Sequence, residues 1–100
     1  MATVKSFEDL RIWKDARRLV SNVYRDFGTG TEAERDFGFR NQVQRCAVSV
    51  MNNMAEGFER STDVEFARFL DIAKGSCGEV RSMYDIAEEI GYVPKETAVE

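Results

Sequence analysis

A single segment, residues 42–60, constrains the fold of this chain more than any other. Read at the 3.6-residue period of an α-helix, its apolar residues cover a broad arc and its polar residues form one narrow stripe. The polar stripe consists of Gln42, Arg45, Ser49, Asn52, Asn53, Glu56 and Arg60. The apolar arc consists of Val43, Cys46, Ala47, Val50, Met51, Met54 and Phe58. Because a surface helix buries only one face, an arc this wide predicts a helix with partners on more than one side.

A first helix is predicted upstream of this segment. Ser6 is the expected N-cap, with Glu8 and Asp9 in the first turn, and Gly28 and Gly30 end the helix. The expected buried stripe of this helix consists of Trp13, Ala16, Val20, Val23, Tyr24 and Phe27.

The second and third helices are bounded by similar signals. The second helix is predicted to begin within residues 31–37 and to end at about Phe58. Thr62 and Glu65 form a capping-box pattern for a third helix that runs to Ile90. The chain is therefore predicted to be one all-α domain, residues 1–100, folded as an antiparallel up-and-down bundle.

Residues 95–100 resemble the start of a fourth helix that the sequence does not continue. Three amphipathic helices leave apolar surface for a further partner helix of roughly 8–20 residues. We therefore expect the natural gene product to be longer than this chain, with an amphipathic extension.

The third helix carries apolar residues on two faces. Its expected core face consists of Phe66, Phe69, Leu70, Ala73, Cys77, Val80, Tyr84 and Ala87. The second face, called here the outer face, consists of Ile72, Gly75, Gly78, Ser82, Met83 and Ile86. Two glycines inside a helix cost roughly 1 kcal/mol each relative to alanine, so close approach by another backbone is expected to compensate. The pattern predicts self-association through the outer face; the alternative is a mildly apolar solvent surface.

Composition limits the possible functions. The 100 residues include 14 basic and 18 acidic ones, and no histidine, which removes the commonest general base and metal ligand. Charge is uneven: the net charge is +2 over residues 1–30, −1 over residues 31–60 and −5 over residues 61–100. This acidic balance argues against indiscriminate nucleic-acid binding but permits a local basic patch.

Such a patch is predicted on the first helix, opposite Trp13. Its four cations, called here the basic stripe, recur at helical spacing: Arg11, Lys14, Arg18 and Arg25. One solvent-facing line of cations suits phosphate groups. The alternative is an ordinary solvated face, whose field Asp15 and Asp26 dilute.

The polar stripe of the second helix also has two interpretations. It could grip an anionic or peptide ligand through Arg45, Arg60 and the asparagines Asn52 and Asn53. It could instead be structural, since Glu56 and Arg60 are four residues apart and Asn53 could bond the backbone. The structural interpretation is favoured.

No catalytic, metal or cofactor pattern is present in the sequence. Glu88 and Glu89 point apart on a helix, and Cys46 and Cys77 are read as reduced, buried thiols without an activating histidine. The sequence therefore predicts a protein that is not an enzyme and binds no cofactor. The N-terminal residues lack an apolar signal region and no apolar run is long enough to cross a bilayer, so a cytoplasmic, non-membrane protein is expected.

Four ordered motifs resemble one bacterial family. They are Phe7-Glu-Asp-Leu-Arg-Ile-Trp13-Lys-Asp-Ala16, Gln42-x-x-Arg45-x-Ala47-Val-Ser49 followed by Asn53-x-Ala-Glu56-Gly57-x-x-Arg60, the segment Glu65 to Val80, and Gly91-Tyr92. This pattern is similar to the signature of the four helix bundle protein family. That family includes proteins encoded in intervening sequences of 23S ribosomal RNA genes and accessory proteins of diversity-generating retroelements. Gln44, where the family often has arginine, and Met51, where it often has proline, depart from the pattern.

The resemblance implies a bundle assembled as a homopentameric barrel, with nucleic acid and a reverse transcriptase as partners. The preferred function is a homo-oligomeric scaffold that binds RNA, DNA or a nucleic-acid-handling protein. The alternatives are a protein-interaction module and a self-assembling protein of an rRNA intervening sequence without a host role.

Overall fold

The computed structural model describes residues 4–95 and contains three α-helices and no strand within that range. A 3₁₀ turn at Phe7–Asp9 precedes α1 (Arg11–Phe27), α2 (Phe37–Glu59) and α3 (Asp63–Glu89). The all-helical prediction and the number of complete helices are confirmed. The predicted start of a fourth helix lies, apart from Lys95, outside the described residues.

The central helix of the fold is α2. Both α1 and α3 pack along it, while α1 and α3 meet each other through side chains rather than through close backbones. Residues 60–62 connect α2 to α3, and a connection this short makes the two helices antiparallel neighbours. The fold is elongated, measuring 45 × 22 × 21 Å, because α3 with its 27 residues is roughly 40 Å long.

The core confirms that the wide apolar arc of α2 has partners on two sides. One cluster contains residues of all three helices, one residue of the α1–α2 connection and one residue that follows α3: Val23, Phe27, Ala33, Val43, Cys46, Ala47, Val80, Tyr84, Ala87 and Val93. A smaller cluster contains Ala16, Val50 and Ala73, which come one from each of the three helices. Phe27 lies at the centre of the larger cluster, with its ring centroid 5.1 Å from those of Phe39 and Tyr84.

The helix starts follow local hydrogen bonding. The Thr62 hydroxyl accepts the Glu65 backbone N–H at 3.1 Å, as the capping-box pattern predicts. The Asp36 carboxylate accepts the Phe39 N–H at 3.2 Å and caps α2. The predicted second-helix start and the ends of α2 and α3 are confirmed to within one residue.

The predicted start of the first helix is wrong. Ser6 precedes the 3₁₀ turn and makes no side-chain capping bond, and α1 begins only after Leu10, whose backbone is extended. The reason is an aromatic contact: the turn brings the Phe7 ring to within 5.1 Å of the Trp13 ring, which a continuous helix would not do.

Tyr24 is a second correction. Placed in the buried stripe by its spacing, it is 50% exposed, whereas its neighbour Val23 is fully buried. It lies at the edge of the stripe and lines a surface that it shares with residues of α2. None of the helices within residues 4–95 is long and apolar enough to span a membrane.

Candidate nucleic-acid interface

All four residues of the basic stripe lie on the exposed side of α1. Arg18 Nη1 is 3.5 Å from Asp15 Oδ1, and Arg25 Nη1 donates a hydrogen bond to Asn22 Oδ1 at 2.9 Å. Both contacts are exposed, and exposed pairs of this kind contribute at most about 1 kcal/mol. They hold the two guanidinium groups on the helix surface without removing them from an incoming phosphate.

The helix α1 carries one cation more than the basic stripe contains. The helix contains five basic and two acidic residues, a net charge of +3, and the fifth cation is Arg17, which the sequence pattern missed. Arg17 is exposed and lies beside the stripe, on the side of α1 that also carries Tyr24. In α3, three basic and seven acidic residues give a net charge of −4. The positive potential of the molecule is therefore concentrated on α1.

One of the two acidic residues of α1 is partly withdrawn from this surface. The Tyr84 hydroxyl donates a hydrogen bond to Asp26 Oδ2 at 2.6 Å, across the α1–α3 junction. Asp26 is half-buried as a result, so it faces α3 rather than the basic stripe. Asp15 is the acidic residue of α1 that remains beside the stripe.

One half of the polar stripe of α2 stabilises the contact with α3. The Ser49 and Ser76 hydroxyls form a hydrogen bond at 2.8 Å between the helices. Asn53 Nδ2 donates to the Ser49 backbone carbonyl at 2.8 Å and to its hydroxyl at 3.0 Å. These bonds satisfy polar groups at a helix crossing, which supports the structural interpretation of this half.

The C-terminal end of the polar stripe is structural as well. Arg60 Nη2 lies 2.8 Å from Glu56 Oε2, so the expected ion pair is confirmed. The Arg60 guanidinium also lies 5.0 Å from the centre of the Phe69 ring, in cation–π geometry. Arg60 thus covers the α2–α3 turn and is poorly placed to hold a ligand.

The other half of the stripe opens onto a cavity. Arg45 is exposed, and within residues 4–95 its guanidinium has no ion-pair partner. It lines a concave surface of about 530 Å³ together with residues of α1 and α2: Tyr24, Asn41, Gln44, Val48 and Ser49. Gln42 and Asn52 are exposed outside this lining. Sequence reasoning found Arg45 and Ser49 but not the others, because their common position depends on how α1 crosses α2.

Gln44 is the unusual residue of this cavity. Its Nε2 atom is buried and has no hydrogen-bond partner in the described part of the chain. A buried amide nitrogen without an acceptor costs about 1–3 kcal/mol. The sequence singled out Gln44 only as a departure from a family arginine and gave no sign of its burial.

A second concave surface has a different chemistry. It measures about 210 Å³ and lies between α1, α2 and α3, with an almost entirely apolar lining: Ile12, Asp15, Ala16, Leu19, Val50, Met54 and Cys77. Apolar side chains of this kind suit hydrophobic packing rather than phosphate. Of the two cavities, the first therefore has the hydrogen-bond donors that a polar ligand needs.

The outer face of α3 is largely open in the single chain. Ile72 and Ile86 are each 43% exposed, and Ser82 is exposed between them. A Cβ atom built on Gly75 or Gly78 would meet no atom within 4 Å. Met83 is half-buried and packs partly against the core of its own chain. The arrangement provides an exposed apolar strip with room for a second backbone.

Neither cysteine is paired: Cys46 is buried and Cys77 is half-buried. Burial, followed by the nearby Glu79 carboxylate, raises the pKa of the Cys46 thiol and keeps it protonated. Within residues 4–95, no group of three or more potential ligands could hold a metal ion. The described residues with the strongest ligand-binding chemistry are the cations of α1 and the donors around Arg45.

These features define a class of helical-bundle protein in which one outer helix is basic and the other is acidic. The chain belongs to the 23S rRNA-intervening sequence protein family, whose family model matches residues 8–100. A comparison with curated proteins gives no significant match.

Proposed function

We propose that this protein is a non-enzymatic, homo-oligomeric helical scaffold that binds nucleic acid through the basic stripe of α1. The single observation that supports this function is the exposed line of cations on α1 in a chain whose total charge is −4. Phosphate contacts by such residues position a nucleic acid without reading its sequence. Binding is therefore largely independent of sequence and weakens steeply with salt.

The scaffold assembles through the outer face of α3. The exposed Ile72 and Ile86 supply apolar area, and the open space above Gly75 and Gly78 admits a neighbouring backbone. Repetition around a ring multiplies the number of α1 stripes that a single nucleic acid can contact. A homopentameric barrel, which the family resemblance implies, is the proposed state, acting in the cytoplasm with a nucleic-acid-handling partner such as a reverse transcriptase.

Fluorescence anisotropy with labelled single-stranded RNA and duplex DNA, across a salt series, tests the binding proposal. The double variant Arg18→Glu, Arg25→Glu should abolish binding while helicity and oligomer size stay unchanged. The matched control is Lys74→Glu with Arg81→Glu, two exposed cations on α3 that receive the same charge change. This control should bind almost as well as the wild type.

Two outcomes contradict the binding proposal. If the wild type binds neither probe at low salt, nucleic-acid binding is refuted and a protein-interaction module replaces it. If both double variants lose binding equally, total charge rather than the α1 surface is responsible.

Light scattering coupled to size-exclusion chromatography tests the assembly proposal. Gly78→Leu should reduce the measured mass, because its side chain fits the single chain but occupies the space of a neighbouring backbone. Circular dichroism should show unchanged helicity for this variant. A wild type that remains monomeric at micromolar concentration contradicts self-association, whereas a tetramer or hexamer corrects only the number of copies.

A further inference from the structure

The cavity beside Arg45 is rich in hydrogen-bond donors and contains one exposed aromatic ring. Among the described residues its lining has no carboxylate, and its polar side chains are Asn41, Gln44, Arg45 and Ser49, together with the Tyr24 hydroxyl. Within residues 4–95, Gln44 Nε2 and the Arg45 guanidinium have no acceptor of their own. The ligand that such a surface fits carries several acceptors and a negative charge.

The Tyr24 ring adds a second requirement. It lines the cavity and is half-exposed rather than packed into the core. An exposed ring beside a guanidinium provides a flat stacking surface next to a phosphate-binding group, which is how proteins commonly hold unpaired bases. A duplex offers no unstacked base, so this combination fits a single strand.

The cavity is also continuous with the basic surface of α1. Tyr24 follows Arg17 by seven residues, close to two helical turns, so both lie on the side of α1 nearest the cavity. Arg25, the last cation of the basic stripe, is adjacent to Tyr24 in the chain. A strand whose phosphates contact the stripe can therefore place a base at Tyr24 without leaving the protein surface.

We propose that the cavity lined by Tyr24, Gln44 and Arg45 is a seat for one nucleotide of a single-stranded RNA. The base stacks on the Tyr24 ring and Arg45 binds the adjoining phosphate. The Gln44 side chain rotates so that its amide nitrogen, which is buried and unpartnered in the free protein, donates to an acceptor on the edge of the base. This inference rests on the proposed function, because the stripe supplies the rest of the affinity.

The test compares two labelled strands of equal length, an oligoadenylate RNA and an abasic ribose-phosphate strand, by anisotropy at fixed salt. The wild type should bind the oligoadenylate roughly tenfold more tightly, since stacking of one base on an aromatic ring contributes an effect of this order. Tyr24→Leu should bind both strands with the affinity of the abasic strand. The matched control Tyr24→Phe keeps the ring and should keep the preference.

Gln44→Met gives an independent readout. Removal of a buried amide that lacks a partner should leave the melting temperature unchanged or raise it, while the preference for the strand with bases decreases. A general structural defect would lower both quantities together. A preference that decreases without a loss of melting temperature therefore distinguishes a ligand-binding amide from a packing residue.

The outcomes separate the two proposals. Equal binding of both strands by the wild type overturns the nucleotide seat and leaves the proposed function intact. A preference that persists in Tyr24→Leu also overturns the seat. Failure of the wild type to bind either strand at low salt refutes the proposed function and the seat together.

Discussion

The two outer helices of the bundle, α1 and α3, flank the same central helix but have opposite surfaces. The net charge of α1 is +3, and its exposed side is a line of cations. The net charge of α3 is −4, and its exposed side combines carboxylates with the apolar outer face. Because phosphates are attracted to a basic surface and repelled by an acidic one, the proposed nucleic-acid binding is assigned to the α1 side.

The two outer helices also differ in how they pack against the rest of the bundle. Against α2, α3 contributes both apolar contacts and the partly buried Ser49–Ser76 hydrogen bond. By comparison, α1 packs through its buried stripe and also reaches α3 through the contacts of Phe27 and Asp26 with Tyr84. The helices α2 and α3 thus form the structural pair, and α1 carries the surface for which ligand binding is proposed.

The largest effect is expected at the junction of α1 with α3. Phe27→Ala removes a fully buried ring that contacts both Phe39 and Tyr84, and should lower the free energy of unfolding by about 3–5 kcal/mol. The control Phe37→Ala removes a ring that is mostly exposed and should change it by less than about 0.5 kcal/mol. Urea denaturation followed by circular dichroism measures both, and equal effects would contradict this account of the junction.

Smaller changes in the free energy of unfolding are expected from alanine at two glycines of α2. The two substitutions should have opposite signs, and the difference measures how closely α2 and α3 are packed. A Cβ atom at Gly57 would lie 2.7 Å from Phe69 Cβ and 3.3 Å from the Phe66 carbonyl oxygen. Gly57→Ala should therefore destabilise the fold by about 1–3 kcal/mol. Gly38→Ala, at an open position in the same helix, should stabilise it by about 0.5–1 kcal/mol. Stabilisation by Gly57→Ala in urea denaturation would show that the two helices are less closely packed.

The smallest effect concerns the acid stability of the α2 start. Hydrogen bonds from the Tyr92 hydroxyl, at 2.6 Å, and from the Phe39 backbone N–H lower the pKa of Asp36 below its ordinary value of 3.8. A lowered folded-state pKa contributes stability that is complete above pH 3.8 and is lost as the pH falls through the folded-state pKa. Asp36→Asn should therefore flatten the acid limb of the melting temperature, measured from about pH 2 to pH 6. If the melting temperature of the variant falls with decreasing pH as steeply as that of the wild type, other carboxylates are responsible for the loss of stability in acid.

The sequence predicted the features of this fold that depend on local patterns. The arc of α2, the Thr62 cap and the Glu56–Arg60 pair follow from spacing along one helix, and all three are confirmed. The prediction that Ser6 caps the first helix was wrong, because a contact between two aromatic side chains accompanies a 3₁₀ turn in place of the first helical turn. Local capping chemistry could not reveal that competition.

The candidate site was only partly predictable for a related reason. The cations of the basic stripe are visible as a periodic pattern on one helix. The cavity at Gln44 depends on the position of Tyr24, which lies next to the buried stripe of α1. The crossing of α1 and α2 decides whether a residue at such an edge is buried or exposed. The buried amide of Gln44 is likewise a tertiary feature without a signal in the sequence.

The salt dependence of single-stranded RNA affinity tests the central claim, that α1 is the phosphate-binding surface, most directly. The neutralised variant Arg18→Gln, Arg25→Gln loses two phosphate contacts, each worth about 0.7 in the slope of log affinity against log salt for single strands. We expect a slope shallower than that of the wild type by at least about 1.4, whereas Lys74→Gln with Arg81→Gln on α3 should leave the slope unchanged. An unchanged slope in the α1 variant, or an equal decrease in the α3 variant, would contradict the claim.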